Sequence, residues 1–187
     1  MEGEYMKNKY KIHGDTTVIF LCQKDGSILQ TLIDTSDLPL METFQGTWHA
    51  FNDRGSFYVA GNYKTITNRW AVIPLHRFLL NPDKNEVVDH INHDTLDNRR
   101  SNLRIATRSE NATNRKGATQ NSMSQIRGVN WHKRVRKWYA RVRVKGQVLY
   151  AKYFDTLEEA EKAVKEARAK FMPYSIDALE MNFLRRW

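Results

Sequence analysis

An α+β fold is predicted from three observations: short strands with turns through residue 75, a strand–loop–strand–helix order over residues 86–114, and a hairpin feeding a capped amphipathic helix over residues 138–171. The 187 residues allow one ordinary domain or two or three small modules. Apolar residues make up 41% and charged residues 27%, too apolar for a disordered chain and too polar for a membrane protein. A lone cysteine, Cys22, excludes a disulfide framework and a multi-cysteine zinc finger and fits a reducing compartment. The longest strongly apolar run, Val18–Cys22, is far too short to span a bilayer, and no apolar signal core follows the charged start, so neither membrane insertion nor secretion is expected.

Residues 1–75 read as a β-rich N-terminal region. Lys24-Asp25-Gly26-Ser27 between Val18–Cys22 and Ile28–Ile33 predicts a hairpin with a four-residue connection, and Asn52-Asp53-Arg54-Gly55 after Trp48–Phe51 predicts a second. Trp70–Leu80 is apolar, broken at Pro74, and begins a short helix whose His76 is expected to be packed rather than to ligate. The first 70 residues hold no catalytic pattern and are read as scaffold or a further binding surface.

Residues 76–116 are read as the chemical module. Glu86–His90 is a β-branched run ending in Asp89-His90, Asp94–Asn98 is a turn-rich loop, and Asn102–Ala106 alternates like a returning strand. Ser109-Glu110-Asn111 then opens a short helix with Ser109 as the expected cap. In that order Asp89 at the strand end and Asn111 in the helix's first turn face each other, offering hard oxygen donors for Mg²⁺ or Mn²⁺. His90 points to the other strand face, where a neutral imidazole can take a proton from water. Asn102 bridges the strands and holds the loop that positions His90. Arg99, Arg100 and Arg104 are expected at phosphates. A zinc reading of His90-x-x-His93 has no cysteine nearby to support it, and His93 is expected to orient the loop or touch phosphate. His13, His49 and His132 have no assigned role.

This block resembles the HNH endonucleases, in particular the phage and intron-homing branch with a ββα-metal site, through Leu75-His76-Arg77, Asp89-His90, Asp97-Asn98-Arg99, Asn102-Leu103-Arg104 and Ser109-Glu110-Asn111. The resemblance implies metal binding by Asp89 and Asn111, a general base in His90 and a structural role for Asn102. The last histidine of the family name is Asn111 here, a weaker ligand than imidazole, so zinc dependence is not expected.

Residues 117–126 are read as a linker, because Ala112–Gln125 offers one bulky apolar residue, Met123. Residues 127–187 form the third module. Trp138, Ala140, Val142 and Val144 alternate with Tyr139, Arg141 and Arg143, and Lys145-Gly146 supplies a two-residue turn. Leu149, Ala151 and Tyr153 are then expected on the apolar face, with Val148, Tyr150 and Lys152 on the open face. Thr156-Leu-Glu-Glu159 is a capping box, followed by the stripe Leu157, Ala160, Val164, Ala167 and Phe171, and Pro173 ends the helix.

The net charge of +9 sits mostly here: residues 121–187 carry 15 basic and 7 acidic side chains, whereas residues 1–75 carry 7 and 8. Arg127–Lys152 holds nine basic groups and no acidic one, the footprint of a polyanionic partner. The module resembles the plant ethylene-response-factor (APETALA-type) DNA-binding domain through Arg127-Gly128-Val129, Trp138–Arg143 and Tyr153–Ala160. It implies a three-stranded antiparallel sheet packed on one helix, with the sheet in the major groove. Arg127, Arg134, Arg136, Trp138, Arg141, Arg143, Tyr150 and Lys152 are the expected contacts, although Trp138 falls on the apolar side of the alternation.

The expectation is therefore a metal-dependent endonuclease acting on double-stranded DNA, of nicking or homing type, in the cytoplasm of a bacterial or phage-infected cell. A monomer would nick; a double-strand break needs a dimer or a second event. The rivals are a DNA-binding regulator with an inactive nuclease scaffold and an RNA-directed nuclease, for which no RNA-specific signature is seen.

Overall fold

The computed structural model describes residues 6–115, 117–118, 120–178 and 181. The chain divides into two compact units, residues 1–106 and 107–187. No helix among the described residues is long and apolar enough to cross a membrane.

The first unit carries two three-stranded antiparallel sheets and a two-stranded ribbon. One sheet has the order β1 (Tyr10–His13), β2 (Thr16–Cys22), β3 (Ile28–Asp34); the other has β4 (Trp48–Asp53), β5 (Ser56–Lys64), β6 (Trp70–Pro74). Between the sheets lies α1 (Leu38–Glu42), and after the second comes α2 (Leu75–Leu80), the predicted helix with His76. The β4–β5 turn is tighter than the sequence implied: Asp53 pairs with Ser56, and Arg54 and Gly55 alone form the turn with φ of 52° and 90°. Two consecutive left-handed residues match the twist of the flanking strands. The ribbon pairs β7 (Val87–His90) with β8 (Leu103–Ala106).

Apart from the exposed β1, these elements share one core. Ile19, Leu21 and Ile33 from the first sheet, Trp48 and Val59 from the second, Met41 from α1, Leu75 and Leu79 from α2 and Leu103 from β8 are buried together. Asn8 ties the two sheets: its Nδ2 donates to the carbonyls of Phe20 and Trp48, and its Oδ1 accepts from Trp48 N at 2.7 Å. Phe44 stacks on Trp48 with centroids 4.2 Å apart, over Gly61, where an added Cβ would lie 2.3 Å from the Phe44 ring. A bare backbone there is what admits the ring. Residues 6–75 and the β7–β8 ribbon are thus one folding unit rather than the separate modules expected, since strands so short bury enough apolar surface only by pooling it.

The second unit opens with α3 (Arg108–Asn111) and builds the sheet β9 (Val129–His132), β10 (Lys137–Val144), β11 (Gln147–Phe154), in the order β11-β10-β9, against α4 (Leu157–Phe171). The α3 cap is Thr107, not Ser109: Thr107 accepts from Glu110 N, and Glu110 reaches back to Thr107 N at 2.8 Å. The α4 capping box forms as predicted between Thr156 and Glu159. Ala160, Val164 and Ala167 are buried with Val129, Ala140 and Val142, and Leu157 and Phe171 close the ends. Gly128 has φ of 86°, and a Cβ on it would lie 2.7 Å from the Arg141 carbonyl.

The stretch expected as a linker between modules is not the boundary between units. Ser124 is buried and donates to the Val129 carbonyl at 2.6 Å, and Ile126 packs on the second core. The low apolar content of the stretch is overcome by a hydroxyl that satisfies backbone carbonyls. Arg168 of α4 is buried and forked onto Asp177, with Nε to Oδ2 at 2.7 Å and Nη2 to Oδ1 at 2.9 Å.

Candidate active site

The ribbon sets Asp89 and His90 side by side at the end of β7, both buried, with Asp89 opposite Arg104 and His90 opposite Leu103. Successive strand residues point to opposite faces, so carboxylate and imidazole look into different surroundings. On one face Arg104 donates to Asp89 Oδ2 from Nε at 2.9 Å and Nη2 at 2.6 Å. On the other, His90 lies edge-on to His76 of α2 at 5.2 Å between centroids and to Tyr58 of β5 at 6.2 Å. Burial pushes His90 below the ordinary imidazole value, partly offset by Asn98 and the nearby aspartates. Burial also drives His76 to about 3, with His90 and Arg77 adding to the effect. Both imidazoles are therefore neutral at pH 7, the form in which His90 can accept a proton.

The loop from Ile91 to Asn98 is closed by Asn102. Its Oδ1 accepts from Asn92 N at 2.9 Å, its Nδ2 donates to the Asp97 carbonyl at 2.8 Å, and its own carbonyl accepts from Ile91 N at 2.8 Å. The loop is also stitched to β3: Leu32 N donates to the Leu96 carbonyl, and Asn98 N to the Leu32 carbonyl. Asn98, 1% exposed, sits with Oδ1 3.2 Å from His90 Nε2 and donates from Nδ2 to Thr31 Oγ1 at 2.9 Å. Sequence reasoning missed Thr31 and Tyr58, and took Asn98 only as a motif letter. Asp97-Asn98-Arg99 was the one available signal; nothing local could point to a threonine 67 positions earlier.

The arginines placed at phosphates are otherwise engaged. Arg99 forks onto Asp97 with Nε to Oδ1 at 2.8 Å and Nη2 to Oδ2 at 2.7 Å. Arg100 forks onto Asp37 at 2.7–3.1 Å and reaches the Leu79 carbonyl. Arg104 holds Asp89. Each has an aspartate within reach in the folded unit, and a bidentate carboxylate is the strongest partner a guanidinium finds there.

The family model described as HNH endonuclease matches residues 81–113. That span covers β7, the loop, β8 and α3, and it supports a nuclease at the level of the family, with DNA implied as substrate. No curated protein and no solved structure matches the chain.

HNH nucleases in general use a divalent metal ion, and the donors here can be weighed for one. Among the described residues no three of His, Cys, Asp and Glu gather into a group that could hold a metal ion. A carboxylate and an amide are instead the donor types of a hard cation that keeps several waters. Asn111 is the last residue of α3, at the start of the second unit rather than in a strand of the first.

Eight residues of the second unit were expected at DNA, and they lie in different surroundings. Arg141 and Arg143 are exposed on the open face as read, and Arg134 and Arg136 are exposed in the β9–β10 turn. The β11 faces are inverted along most of the strand: a bulge between Val142 and Arg143 leaves Val142 opposite Tyr150 and Arg141 opposite Ala151. Tyr150 and Phe154 accordingly pack on the core, while Ala151 and Tyr153 join the open face. Val148, before the bulge, stays opposite Arg143 as expected. Trp138 lies on the core side, edge-on to Trp131. Lys152 takes the register of Ala140, its ammonium 5.5 Å from the Phe154 ring centroid. Arg127 donates to the carbonyls of Thr113 and Arg115 at 2.8 Å, and burial and Arg168 hold its guanidinium below the ordinary value. The open face gains a ring cluster instead: Tyr153 with Tyr139 at 4.8 Å and with His132 at 5.4 Å, and Arg141 6.0 Å from the Tyr139 centroid.

Proposed function

We propose that the chain is a metal-dependent endonuclease that hydrolyses phosphodiester bonds in double-stranded DNA, of nicking or homing type, acting in the cytoplasm of a bacterial or phage-infected cell. The observation that carries the reading is a buried His90 next to Asp89 inside the matched span. His90 takes the proton of the attacking water, and Asn102 keeps the loop behind it in place. Asp89 and Asn111 would hold a Mg²⁺ or Mn²⁺ ion, which when bound supplies positive charge to the phosphate and its leaving oxygen. The pairing of Asn111 with Asp89 comes from the sequence pattern. Arg104, forked onto Asp89, neutralises the carboxylate while no cation is bound.

Affinity in this reading comes from the basic sheet: Arg141 and Arg143, with Tyr139 and Tyr153 beside them, and Arg134 and Arg136 from the turn, grip the duplex. A general base contributes about 10²–10⁴-fold to rate. Supercoiled plasmid with Mg²⁺ is therefore expected to be nicked, and His90→Ala and Asp89→Ala to lower nicking by at least the smaller of those factors without loss of binding. Tight binding with no cleavage by the unaltered protein would leave the regulator as the reading.

A further inference from the structure

We propose that Asn98, fixed by Thr31 of the N-terminal sheet, sets the tautomer of His90 so that Nδ1 is the nitrogen that takes the water proton. The inference rests on the reading of His90 as general base, but its central claim concerns a proton position that is measurable without any cleavage.

The orientation of the Asn98 amide follows from counting hydrogens. Thr31 has one hydroxyl hydrogen, and it goes to the Leu96 carbonyl at 2.7 Å. Its oxygen is then an acceptor towards Asn98, 2.9 Å away, so the NH₂ end of the amide faces Thr31. The same NH₂ lies 3.4 Å from the Thr95 carbonyl. A flipped amide would draw the Thr31 hydrogen away from the Leu96 carbonyl and set its oxygen against the Thr95 carbonyl. Thr31 and Asn98 are at most 1% exposed and His90 is 5% exposed, so water does not make up the difference. Asn98 Oδ1 then faces His90 Nε2 at 3.2 Å as an acceptor, which places the hydrogen on Nε2. In neutral imidazole the lone pair is then on Nδ1.

The arrangement serves both states of the base. When the water O–H bond breaks, the proton forms an N–H bond on Nδ1, and the electron pair left on the water oxygen forms the new bond to phosphorus. The phosphorus bond to the leaving oxygen breaks with its pair, and that oxygen takes up a proton from solvent. Throughout, Nε2–H continues to donate to Asn98, so no hydrogen bond behind the ring is exchanged during the step. Thr31 thereby gives the N-terminal sheet, which holds no catalytic pattern of its own, a positioning role in the reaction.

The test is ¹⁵N NMR of the full-length protein with ¹⁵N-labelled histidine in Mg²⁺ buffer, with His90→Gln identifying the resonance, together with plasmid nicking. The unaltered protein is expected to show His90 protonated on Nε2. Thr31→Ser, which keeps the hydroxyl, should preserve that signature and nick within about twofold of the original. Thr31→Val, which removes the acceptor, should yield a mixture of tautomers and lose about tenfold or more in nicking at unchanged DNA affinity. Asn98→Ala should lose about 10²-fold, the low end of what a general base supplies. His90 protonated on Nδ1 in the unaltered protein overturns the proposal and requires no variant to fold. So does a Thr31→Val protein that melts cooperatively and keeps the original tautomer and rate. An Nε2-protonated His90 in a protein that nicks nothing would overturn the endonuclease reading and leave the tautomer assignment standing.

Discussion

Asp97 illustrates how side chains near the site are committed to holding it. Its carboxylate accepts from Arg99 Nε and Nη2 and from Asn92, and Arg99 holds it below the ordinary aspartate value. A depressed carboxylate contributes stability that is present above its unfolded value, near 3.9, and is lost as pH falls through the folded one. Asp97→Asn is therefore expected to cost about 1.5–3 kcal/mol at pH 7, the range for hydrogen bonds to a charged group, and the gap to the original protein should close below about pH 4. Urea melts of both proteins across that range check it; a gap that widens in acid would contradict the assignment. The arginines of the second unit separate in the same way. Arg127, bound to carbonyls, should lower the melting temperature when changed to Gln and leave the salt slope of DNA binding alone. Arg141→Gln and Arg143→Gln should each reduce that slope by about 1 with little effect on melting. Binding isotherms at several salt concentrations distinguish the two kinds.

At the scale of elements, capping and turn signals were legible because they are local. The Thr156–Glu159 box, the Lys145-Gly146 turn and the Leu75–Leu80 helix stand where the residues point, since each depends on neighbours within a few positions. The faces of β11 were not legible. One bulged residue reverses the alternation, and whether a strand bulges is decided by its partner and not by its own letters. Gly128 makes a prediction at this scale. Its left-handed φ and its Cβ clash with the Arg141 carbonyl mean that Gly128→Ala must shift β10 or abandon the turn. A loss of more than about 1 kcal/mol is expected for the second unit, beyond the usual compatible-site range for glycine replacement, and denaturant unfolding followed by Trp131 and Trp138 fluorescence would measure it. Thr107, rather than Ser109, caps α3 because its spacing to Glu110 completes a reciprocal pair that Ser109 lacks.

At the scale of the whole molecule, the division at Ala106/Thr107 shifts which fragments should be stable. Residues 1–106 own a complete core, drawn from both sheets, two helices and the ribbon. A fragment ending at Ala106 is expected to melt cooperatively by itself, to lack Asn111 and to nick no plasmid even at high Mg²⁺. A fragment limited to residues 76–116 is expected not to fold, because Leu79 and Leu103 would lose the partners that bury them. Circular dichroism melts of the two fragments separate these outcomes, and a cooperative melt from the second would show that the ribbon does not need the N-terminal sheets.

The sequence by itself determined the α+β class, the placing of Asp89-His90 at a strand end and the basic character of the β10 open face, because periodicity, turn chemistry and charge are carried by residues close in the chain. Only the tertiary structure decided which charges are spent internally and what stands behind the imidazole. Arg99, Arg100, Arg104 and Arg127 read identically to Arg141 as letters, and what separates them is a carboxylate or carbonyl brought within 3 Å by folding. Thr31 reaches Asn98 across 67 positions for the same reason. A hydrogen bond between distant segments exists only when a shared core has set both in place, and no local pattern encodes that meeting.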